Sequence, residues 1–316
     1  MARLILREYS EEDKRDLVKL LQHGLTKNFT TERWNWLHHN IVTLGSYIVV
    51  ALYDNRIVGT VGAIRKKFTY NNERFVGGRH IDPVVDKSMR GKGVFTKMLY
   101  ALNEMCNDVN FSYTFPNAAS FPGFAKTGYT SVGPIFVPSC QLSFLNVAIK
   151  EKVRYLTSGI KTVGRKDTSI IQGSFDELKE AVPVTPKNKY ALMRDYSYIK
   201  WRYADSPIKS YEVLISKLNK TIQNACIVLK NDRLISIMDF IEYQSEISIL
   251  DYLTAIKKIY GKVTVSVWDS SISDIYKFFV GKSTQNFLVH KGNLKMPERV
   301  FDKSFWFITK GEVEGN

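Results

Sequence analysis

The same short signature occurs twice in this chain, and this repeat restricts the fold more than any other feature. Trp34-Asn35-Trp36 precedes Ser46-Tyr47 and a predicted hairpin, while Tyr198-Ile199-Lys200-Trp201 precedes Ser210-Tyr211 and a predicted strand. Trp36 and Trp201 lie 165 residues apart, and Ser46 and Ser210 lie 164 residues apart. Two anchors with nearly one offset predict an internal duplication. The alternative is a coincidence between two tryptophan-bearing helices.

Predicted strands and helices follow the same order in both halves, which indicates a mixed α/β chain of two domains. In the first half, periodicity predicts a strand and a helix in 1–24, strands at 46–52, 57–64, 68–76 and 78–85, a helix at 92–107, a strand at 111–115, and a helix with one or two strands to about 145. In the second half it predicts strands at 211–216, 225–229 and 234–243, a helix at 247–260, a strand at 263–267, a helix at 272–279, and strands at 286–290 and 304–310. The length of 316 residues fits two domains, at 1–150 and 191–316, with a Lys-, Ser-, Gly- and Pro-rich linker at 151–190.

The charge balance favours an anionic small ligand. The net charge is +14, from 45 basic and 31 acidic residues. The basic residues are dispersed, and their densest groups are Arg65-Lys66-Lys67, 161–166 and Lys257-Lys258. A nucleic-acid surface would concentrate them on one element, so we expect no nucleic-acid partner. A phosphate-rich cofactor and a phosphate-rich substrate account for the same excess.

Cysteine content and hydropathy indicate a cytoplasmic protein without membrane insertion. Cys106, Cys140 and Cys226 are scattered and odd in number, which disfavours a disulfide framework and a zinc site. The first eight residues become charged too early for a signal peptide, and no apolar run reaches the ~20 residues that span a bilayer. We expect no metal. The oligomeric state is open, and a monomer is compatible with the sequence.

The segment 82–99 carries the strongest chemical signal. It passes from a predicted strand through a turn, Arg90-Gly91-Lys92-Gly93, into the amphipathic helix. The first turn of a helix leaves amide groups without intrahelical acceptors, and they point outward at the positive end of the helix dipole. Gly91 and Gly93 would let phosphate oxygens approach the backbone, and Arg90 and Lys92 would add charge-assisted contacts. The segment lacks the Gly-Lys-Ser/Thr of a nucleotide-triphosphate loop and the third glycine of a dinucleotide fingerprint.

This loop resembles the one found in the GNAT superfamily of acyl-CoA N-acyltransferases. The family pattern is Arg/Gln-x-x-Gly-x-Gly/Ala; Arg90 and Gly93 match it, and Phe95 replaces the final small residue. A second family pattern, Asn-x-x-Ala-x-x-x-Tyr-x-Lys-x-Gly-Phe, follows in order within 117–129. Asn117, Lys126, Gly128 and Tyr129 match it, whereas Ser120 replaces the alanine and Phe124 replaces the tyrosine that often protonates the leaving thiolate.

The resemblance implies a tandem GNAT fold in which 1–150 binds acyl-CoA and 191–316 is a degenerate GNAT-like domain that contributes to acceptor binding. The second half lacks Arg-x-x-Gly-x-Gly, so we expect one CoA site. In this family the strand before the loop separates from the strand at 110–115, and the pantetheine arm pairs with the main chain between them. The implied CoA-binding residues are Pro83, Val84, Val85, Arg90, Gly91, Lys92, Gly93, Val94, Phe95, Thr96, Asn117, Ser120 and Phe124.

Asp82 and His80 are the candidate general bases for direct attack of an amine on the thioester. Regular alternation places both side chains on one face of the strand, although a bulge near Pro83 would change this. The alternatives are that Asp82 accepts amide hydrogen bonds from the loop and that His80 is a hydrogen-bonded strand residue. Since Phe124 has no proton to donate, the thiolate leaves unaided, or Ser120 or Tyr129 protonates it.

The expected acceptor is a nucleotide-linked amino sugar. The segments 115–124 and Trp201-Arg202-Tyr203 resemble tandem GNAT enzymes of bacterial surface-polysaccharide assembly. The implied acceptor is an amino sugar such as a dTDP-linked 3-amino-3,6-dideoxyhexose, and the implied donor is acetyl-CoA or a larger one such as 3-hydroxybutanoyl-CoA. Trp201, Arg202 and Tyr203 would stack on the base and bind the diphosphate, or Trp201 fills the second core. The remaining alternatives are another small amine, a peptide or protein lysine as acceptor, and a non-catalytic CoA- or nucleotide-binding module.

Overall fold

The first half alternates strands and helices as the sequence predicts. The computed structural model describes residues 3–40, 42–141, 168–244, 249–267, 280–292, 294 and 296–313. The elements of the first half are β1 (Leu4–Glu8), α1 (Lys14–Gly24), α2 (Thr31–His38), β2 (Ser46–Tyr53), β3 (Arg56–Tyr70), β4 (Glu73–Val85), α3 (Val94–Met105), β5 (Phe111–Thr114), α4 (Phe121–Lys126) and β6 (Thr130–Gln141).

The second half has a similar order of strands and helices. Its elements are β7 (Thr168–Gly173), β8 (Tyr190–Leu192), α5 (Tyr196–Ile199) with a π-helical turn at Lys200–Ala204, β9 (Tyr211–Leu218), β10 (Thr221–Asn231), β11 (Leu234–Glu242), α6 (Ile249–Tyr260), β12 (Thr264–Val267), β13 (Val280–Lys291), β14 (Trp306–Phe307) and α7 (Lys310–Val313). The described part of the predicted linker, 168–190, therefore contains strand β7. The predicted helix at 272–279 lies outside the described residues. The predicted strand at 304–310 is reduced to β14, because the chain turns into α7 at Lys310.

Two predicted strand boundaries in the first half were wrong, because β3 runs without a break from Arg56 to Tyr70. The hairpin between β3 and β4 turns at Asn71 and Asn72, whose φ angles of 47° and 70° are left-handed. The predicted strands 68–76 and 78–85 instead place a break at Gly77. Gly77 lies within β4, and a Cβ there would approach ring atoms of Phe68 and Phe111 to 2.9 Å or less. Glycine at this position makes room for aromatic packing.

All these strands except β8 and β14 form a single path through one mixed sheet. Their order is β1-β2-β3-β4-β5-β13-β6-β12-β11-β10-β9-β7. If β7, β9, β10, β11, β12 and β13 are taken as the counterparts of β1 to β6, this order reads the same from either end. The described strands thus reproduce the duplication that the two tryptophan signatures predict.

The two halves exchange their last strands at the centre of the sheet. β13 of the second half pairs antiparallel with β5, from Leu288 opposite Thr114 to Lys291 opposite Phe111. β6 of the first half pairs in the same sense with β12. β6 and β13 also pair with each other. Each half therefore completes the sheet of the other half.

Trp36 and Trp201, the predicted anchors of the repeat, contact each other directly. The Trp36 Nε1–H donates to the carbonyl of Trp201 at 2.7 Å, and the Trp201 Nε1–H donates to the carbonyl of Trp36 at 2.8 Å. Their rings stack with centroids 5.3 Å apart. Reciprocal hydrogen bonds of this kind are what a two-fold relation between the halves produces.

We expect Trp36→Phe and Trp201→Phe each to lower the free energy of unfolding by about 2 kcal/mol, because each leaves one carbonyl without its indole donor. Trp201→Phe should have the smaller effect of the two, since the Trp36 carbonyl also accepts a hydrogen bond from the Asn40 carboxamide at 3.1 Å. Urea unfolding of both single variants and the double variant measures this. The shared ring stack should give a coupling of about 0.5–1.5 kcal/mol. Strictly additive effects would argue against the stack.

Helices cover both faces of the first half's sheet and fix the position of β4. Ile81 and Val84 of β4 pack into a core with α1 and α2 that includes Leu17, Leu21 and Trp34. The opposite face packs against α3, in a core that includes Val61, Ala63, Met98 and Leu102. The end of β4 is thus held from both sides directly before the loop that enters α3.

Candidate active site

The loop between β4 and α3 presents two glycines in a left-handed conformation. Gly91 and Gly93 both have φ angles of +74°. A Cβ added to either glycine would have no atom within 4 Å, so the space beside each is open. The loop is fixed from inside by Asp86, whose carboxylate accepts hydrogen bonds from the Ser88 amide at 2.9 Å and hydroxyl at 2.6 Å. Asp82 accepts no such hydrogen bond, since neither of its carboxyl oxygens has a partner.

The helix that follows directs unbonded amides toward this open space. Gly93 is the N-cap of α3, and the helix hydrogen bonds begin with the Lys97 amide donating to the Gly93 carbonyl at 3.1 Å. The amides of Val94, Phe95 and Thr96 consequently have no acceptor in a preceding helical turn. Together with the helix dipole they form an anion-binding arrangement. Arg90 and Lys92 are exposed beside it.

A cleft of approximately 600 Å³ begins at this loop and follows β4. The parallel pairing of β4 with β5 ends at Arg79 opposite Tyr113, whereas β4 continues to Val85, so the strands part over the last residues of β4. The predicted CoA residues Pro83, Val84, Val85, Arg90, Phe95, Asn117, Ser120 and Phe124 line the cleft, as do Asp82, His80, Arg79 and Gln285.

Asp82 lies at a β-bulge in β4. Ile81 pairs with Gly62 and Val84 with Thr60, so Asp82 and Pro83 together face one residue of β3. Asp82 adopts a φ angle of 51°, which is uncommon for a residue other than glycine. The bulge interrupts the regular alternation from which we predicted one shared face for Asp82 and His80. Strain of this kind is typical of functional positions.

The Asp82 carboxyl group is buried without a hydrogen-bond partner. Its side chain is 4% exposed, and neither Oδ1 nor Oδ2 has a partner. Burial raises the pKa of Asp82 from 3.8 to about 6, and the positive charges of Arg33 and Arg79 oppose the rise without cancelling it. Buried carboxyl oxygens are rarely left unpaired in native proteins. The group is therefore suited to receive a proton from a ligand near neutral pH.

His80 lies in the same cleft but has different neighbours. The hydroxyl of Tyr129 lies 3.0 Å from its Nδ1 and 3.1 Å from its Nε2, and the same hydroxyl donates to Asn103 Oδ1 at 3.1 Å. Burial, with a smaller effect from His290, lowers the pKa of His80 to about 3. His80 is thus neutral and a weak base at physiological pH. These contacts agree with the alternative that His80 is a hydrogen-bonded residue of the strand.

The two departures from the family patterns, Phe95 and Phe124, pack against each other. Their rings meet edge to face with centroids 5.5 Å apart. A Cβ at Gly123 would lie 2.4 Å from the Phe95 ring, so glycine there makes room for the large loop residue. The Asn117 carboxamide accepts hydrogen bonds from the amides of Ala119 and Ser120 at 3.1 and 3.0 Å, which shapes the entry into α4.

The structure does not bring Trp201, Arg202 and Tyr203 to the cleft. All three are buried in the π-helical turn, with 5%, 2% and 1% exposure. Arg202 donates to the Gly311 carbonyl, and the Tyr203 hydroxyl donates to Asp239 at 2.9 Å. Trp201 is held by Trp36. These side chains make interior contacts, and Trp201 lies in a core cluster that also includes Phe68 and Tyr113 of the first half.

Two residues near the cleft were not found from the sequence. Gln285 reaches it from β13 and donates to the Phe115 carbonyl at 3.0 Å, which the exchanged strand makes possible. Arg33 of α2 is 5% exposed, and its charge acts on Asp82. Arg33 directly precedes Trp34, so the tryptophan-bearing helix was a sequence signal from which it could have been found. No local pattern indicates Gln285.

The residues around the loop fit an acyl-CoA. The open positions beside Gly91 and Gly93, the unbonded amides of α3 and the gap between β4 and β5 suit a diphosphate and an extended arm. In the described part of the chain, no group of three or more His, Cys, Asp or Glu side chains is arranged to hold a metal ion. The described helices are also too short or too polar to span a membrane.

Comparison with protein families identifies the same region. The Acetyltransferase (GNAT) domain family matches residues 6–132. A comparison with curated protein sequences gives no match. Because the matched region contains β4, the loop and α3, the match covers the residues that form most of the cleft.

Solved structures share the fold across nearly the whole chain. A probable N-acyltransferase from Enterococcus faecalis V583 has a TM-score of 0.69 at 14% identity, covering 93% of this chain and 74% of its own. A GCN5-related N-acetyltransferase from Kribbella flavida has a TM-score of 0.64 at 12% identity, covering 91% and 71%. A GCN5-related glucosamine N-acetyltransferase region in a fungal multi-domain GH3 beta-N-acetylglucosaminidase has a TM-score of 0.57 at 13% identity, covering 92% and 38%. Identities this low establish the fold alone. Residues 6–132 thus match the Acetyltransferase (GNAT) domain family, and the chain has the fold of solved N-acetyltransferase structures.

Proposed function

We propose that the enzyme acylates the primary amine of a nucleotide-linked amino sugar, with Asp82 as the group that accepts the amine proton. Acyl-CoA supplies an activated thioester carbonyl. A new C–N bond replaces the C–S bond, and the thiol leaves with a proton. The observation that carries the proposal is the buried Asp82 carboxyl group, which has no partner and lies in the cleft that begins at the phosphate-binding loop.

Asp82 supports the proton step better than His80 does. With a pKa near 6, Asp82 is ionised at neutral pH and can bind an ammonium group and take its proton. The low pKa of His80 leaves it neutral, with its ring near the Tyr129 hydroxyl. Its role is to shape the wall of the cleft beside the reacting groups. Positioning of amine and thioester accounts for much of the remaining rate enhancement.

Two observations support the proposed class of acceptor: the positive net charge of the chain and the fold that it shares with a glucosamine N-acetyltransferase region. The net charge of +14 favours an anionic acceptor, and the positive charges of Arg33 and Arg79 act on the cleft at Asp82. The glucosamine N-acetyltransferase region with the same fold acts on an amino sugar. Trp201, Arg202 and Tyr203 give no support, because they lie outside the cleft. Such an enzyme would work in the cytoplasm, in the synthesis of surface polysaccharide.

Thiol release from acetyl-CoA with a panel of acceptors tests this proposal. We expect the highest kcat/KM with a dTDP-linked 3-amino-3,6-dideoxyhexose, and lower values with glucosamine, an aminoglycoside and a lysine peptide. The same panel with 3-hydroxybutanoyl-CoA defines the donor. Faster turnover of the peptide or the aminoglycoside would overturn the acceptor class. CoA binding without thiol release for any acceptor would favour a non-catalytic binding module.

A further inference from the structure

The strand β5 ends before both of its neighbours in the sheet. β4 pairs with it as far as Arg79 opposite Tyr113 and continues to Val85. On its other side, β13 pairs with it as far as Leu288 opposite Thr114, and from there β13 continues along β6. The gap that forms the cleft therefore has two walls. One wall is β4 of the first half, and the other is β13 of the second half.

Gln285 of β13 lies level with the bulge of β4. Arg79 and Val289 both lie opposite Tyr113. Four residues further along the gap, β4 reaches Pro83 in the bulge and β13 reaches Gln285. Because neighbouring strands lie ~4.8 Å apart, the two main chains are separated by roughly 10 Å where β5 no longer lies between them. This spacing leaves room for one sugar-sized ring between the walls.

The Asp82 and Gln285 side chains face the same cleft. Phe287 and Val289 of β13 pack in one core cluster with Tyr113, so they lie on the same face of the sheet. Gln285 lies two residues before Phe287 and shares this face, because side chains alternate along a strand with a period of two. The cleft therefore has a carboxyl group on one wall and a carboxamide group on the other.

A hydrogen bond fixes the orientation of the Gln285 carboxamide. Its Nε2–H donates to the Phe115 carbonyl at 3.0 Å. Because a carbonyl oxygen only accepts hydrogen bonds, the amino end of the carboxamide must point to Phe115. No hydrogen bond to its Oε1 is made by any residue that the structure describes. Gln285 is half-buried, so Oε1 remains available to accept a hydrogen bond from a ligand.

The Phe115 ring adds an apolar surface beside this hydrogen-bond acceptor. It lines the cleft, is half-buried and stacks on Phe287 with centroids 5.2 Å apart. Ligand sites typically combine apolar surface with a few polar groups that fix the orientation of the ligand. A sugar ring offers both C–H groups and hydroxyl donors, whereas a lysine side chain has no hydrogen-bond donor besides its amine. The wall built by β13 therefore favours a hydroxylated ring.

We propose that Gln285 accepts a hydrogen bond from a ring hydroxyl of the acceptor, whose amine is directed to Asp82. Gln285 is then a specificity-determining residue, and the second half contributes to the acceptor site through the exchanged strand β13. The inference rests on the proposed function, since it describes how the same site distinguishes a hydroxylated acceptor from other amines.

Steady-state kinetics of Gln285→Met with two kinds of acceptor test the inference. The first is the dTDP-linked 3-amino-3,6-dideoxyhexose, and the second comprises analogues of it that each lack one ring hydroxyl. We expect wild-type kcat/KM to fall by about tenfold for one analogue, mainly through KM, because one hydrogen bond is lost. Gln285→Met should cause the same loss for the parent sugar and no further loss for that analogue, since both changes remove the same bond.

Asn286→Leu is the matched control. Asn286 is the exposed neighbour of Gln285 on β13, on the opposite face of the strand. Each substitution replaces a carboxamide with an apolar side chain of similar shape. Asn286→Leu should keep kcat/KM for all acceptors within about twofold of the wild type. The CoA affinity of Gln285→Met should also stay within about twofold, because the diphosphate is assigned to the loop before α3.

The outcomes separate this inference from the proposed function. If Gln285→Met lowers kcat/KM equally for the parent sugar and every analogue, the residue acts only through Phe115 and the inference is overturned. An unchanged kcat/KM would also overturn it, and neither result affects the assignment of Asp82. A wild type that prefers an aminoglycoside contradicts the nucleotide-linked acceptor alone, and aminoglycosides that each lack one hydroxyl then test Gln285 in the same way. Preference for the lysine peptide would overturn both proposals.

Discussion

Replacing Asp82 with Asn should lower kcat/KM by at least about 100-fold while making the protein more stable. The amide matches the carboxyl group in shape, and Asn tolerates the left-handed backbone at this position. It cannot take a proton from the acceptor. CoA affinity should stay within about twofold, because the loop between β4 and α3 donates no hydrogen bond to the Asp82 carboxyl group. Steady-state kinetics and CoA titration measure the two effects separately.

The gain in stability follows from the raised pKa of Asp82. Its pKa is about 6 in the folded state and near 3.8 in the unfolded chain, so the folded protein holds this proton more tightly. Ionised Asp82 therefore destabilises the fold, with a cost that grows between about pH 4 and pH 6 and is constant above. Asp82→Asn should raise the free energy of unfolding by about 2–3 kcal/mol at pH 7.5 and by little at pH 3.5.

The pH dependence of the wild-type rate supplies the control. We expect kcat/KM to rise with pH through an inflection near the Asp82 pKa of about 6 and then to level off. Asp82→Asn should lose this inflection in its residual activity. His80→Gln, a second variant in the cleft, should retain it, since His80 is neutral throughout this range. Wild-type turnover in Asp82→Asn would remove Asp82 from the reaction.

Gly93→Asp should weaken CoA binding by at least about tenfold. The new carboxylate would stand at the N-cap of α3, where the diphosphate is expected, and would compete for the same amides. The surrounding protein would not collide with it, because a Cβ at Gly93 has no atom within 4 Å. The loss should therefore appear in CoA affinity rather than as misfolding, and titration with CoA alone detects it.

Two further variants separate the effect of the new carboxylate on CoA affinity from the effect of a side chain at a positive φ angle. Gly93→Ala has the same positive φ and adds only a methyl group, so its CoA affinity should fall by less than that of Gly93→Asp. Gly261→Asp places the same carboxylate at a glycine with a φ of 78° and open surroundings in the second half. It should leave CoA affinity unchanged. An unaltered affinity in Gly93→Asp would refute the assignment of the loop.

Local patterns predicted the strand, loop and helix of the candidate site well. The strand before Arg90, the two glycines and the helix now bounded by Val94 and Met105 were all readable, because each depends on nearby residues. The repeat was also readable from Trp36 and Trp201. The contact between the two tryptophans was not, because it depends on the fold. Their mutual hydrogen bonds agree with a duplication and place the two residues at the contact between the halves.

Long-range features of the site could not be predicted in this way. The exchange of β13 brings Gln285 beside Phe115, 170 residues earlier in the chain, and no periodicity signals such a pairing. The bulge at Asp82 depends on a single unmatched residue in the pairing with β3, which changes the side-chain alternation. Trp201, Arg202 and Tyr203 are buried away from the cleft. Residue type alone did not indicate this, because aromatic and basic residue types do not specify whether a side chain is buried.

The exchanged strands also determine when the candidate site can assemble. Thr114 of β5 pairs with Leu288 of β13, so the sheet beside the cleft stays incomplete until nearly all of the chain described here has been synthesised. Pairings this remote are slow to form, and until then the open edge of β5 is available for improper association. The duplicated halves are consequently interlocked. Neither could be transplanted as a self-contained module, and mutations in one must remain compatible with the other.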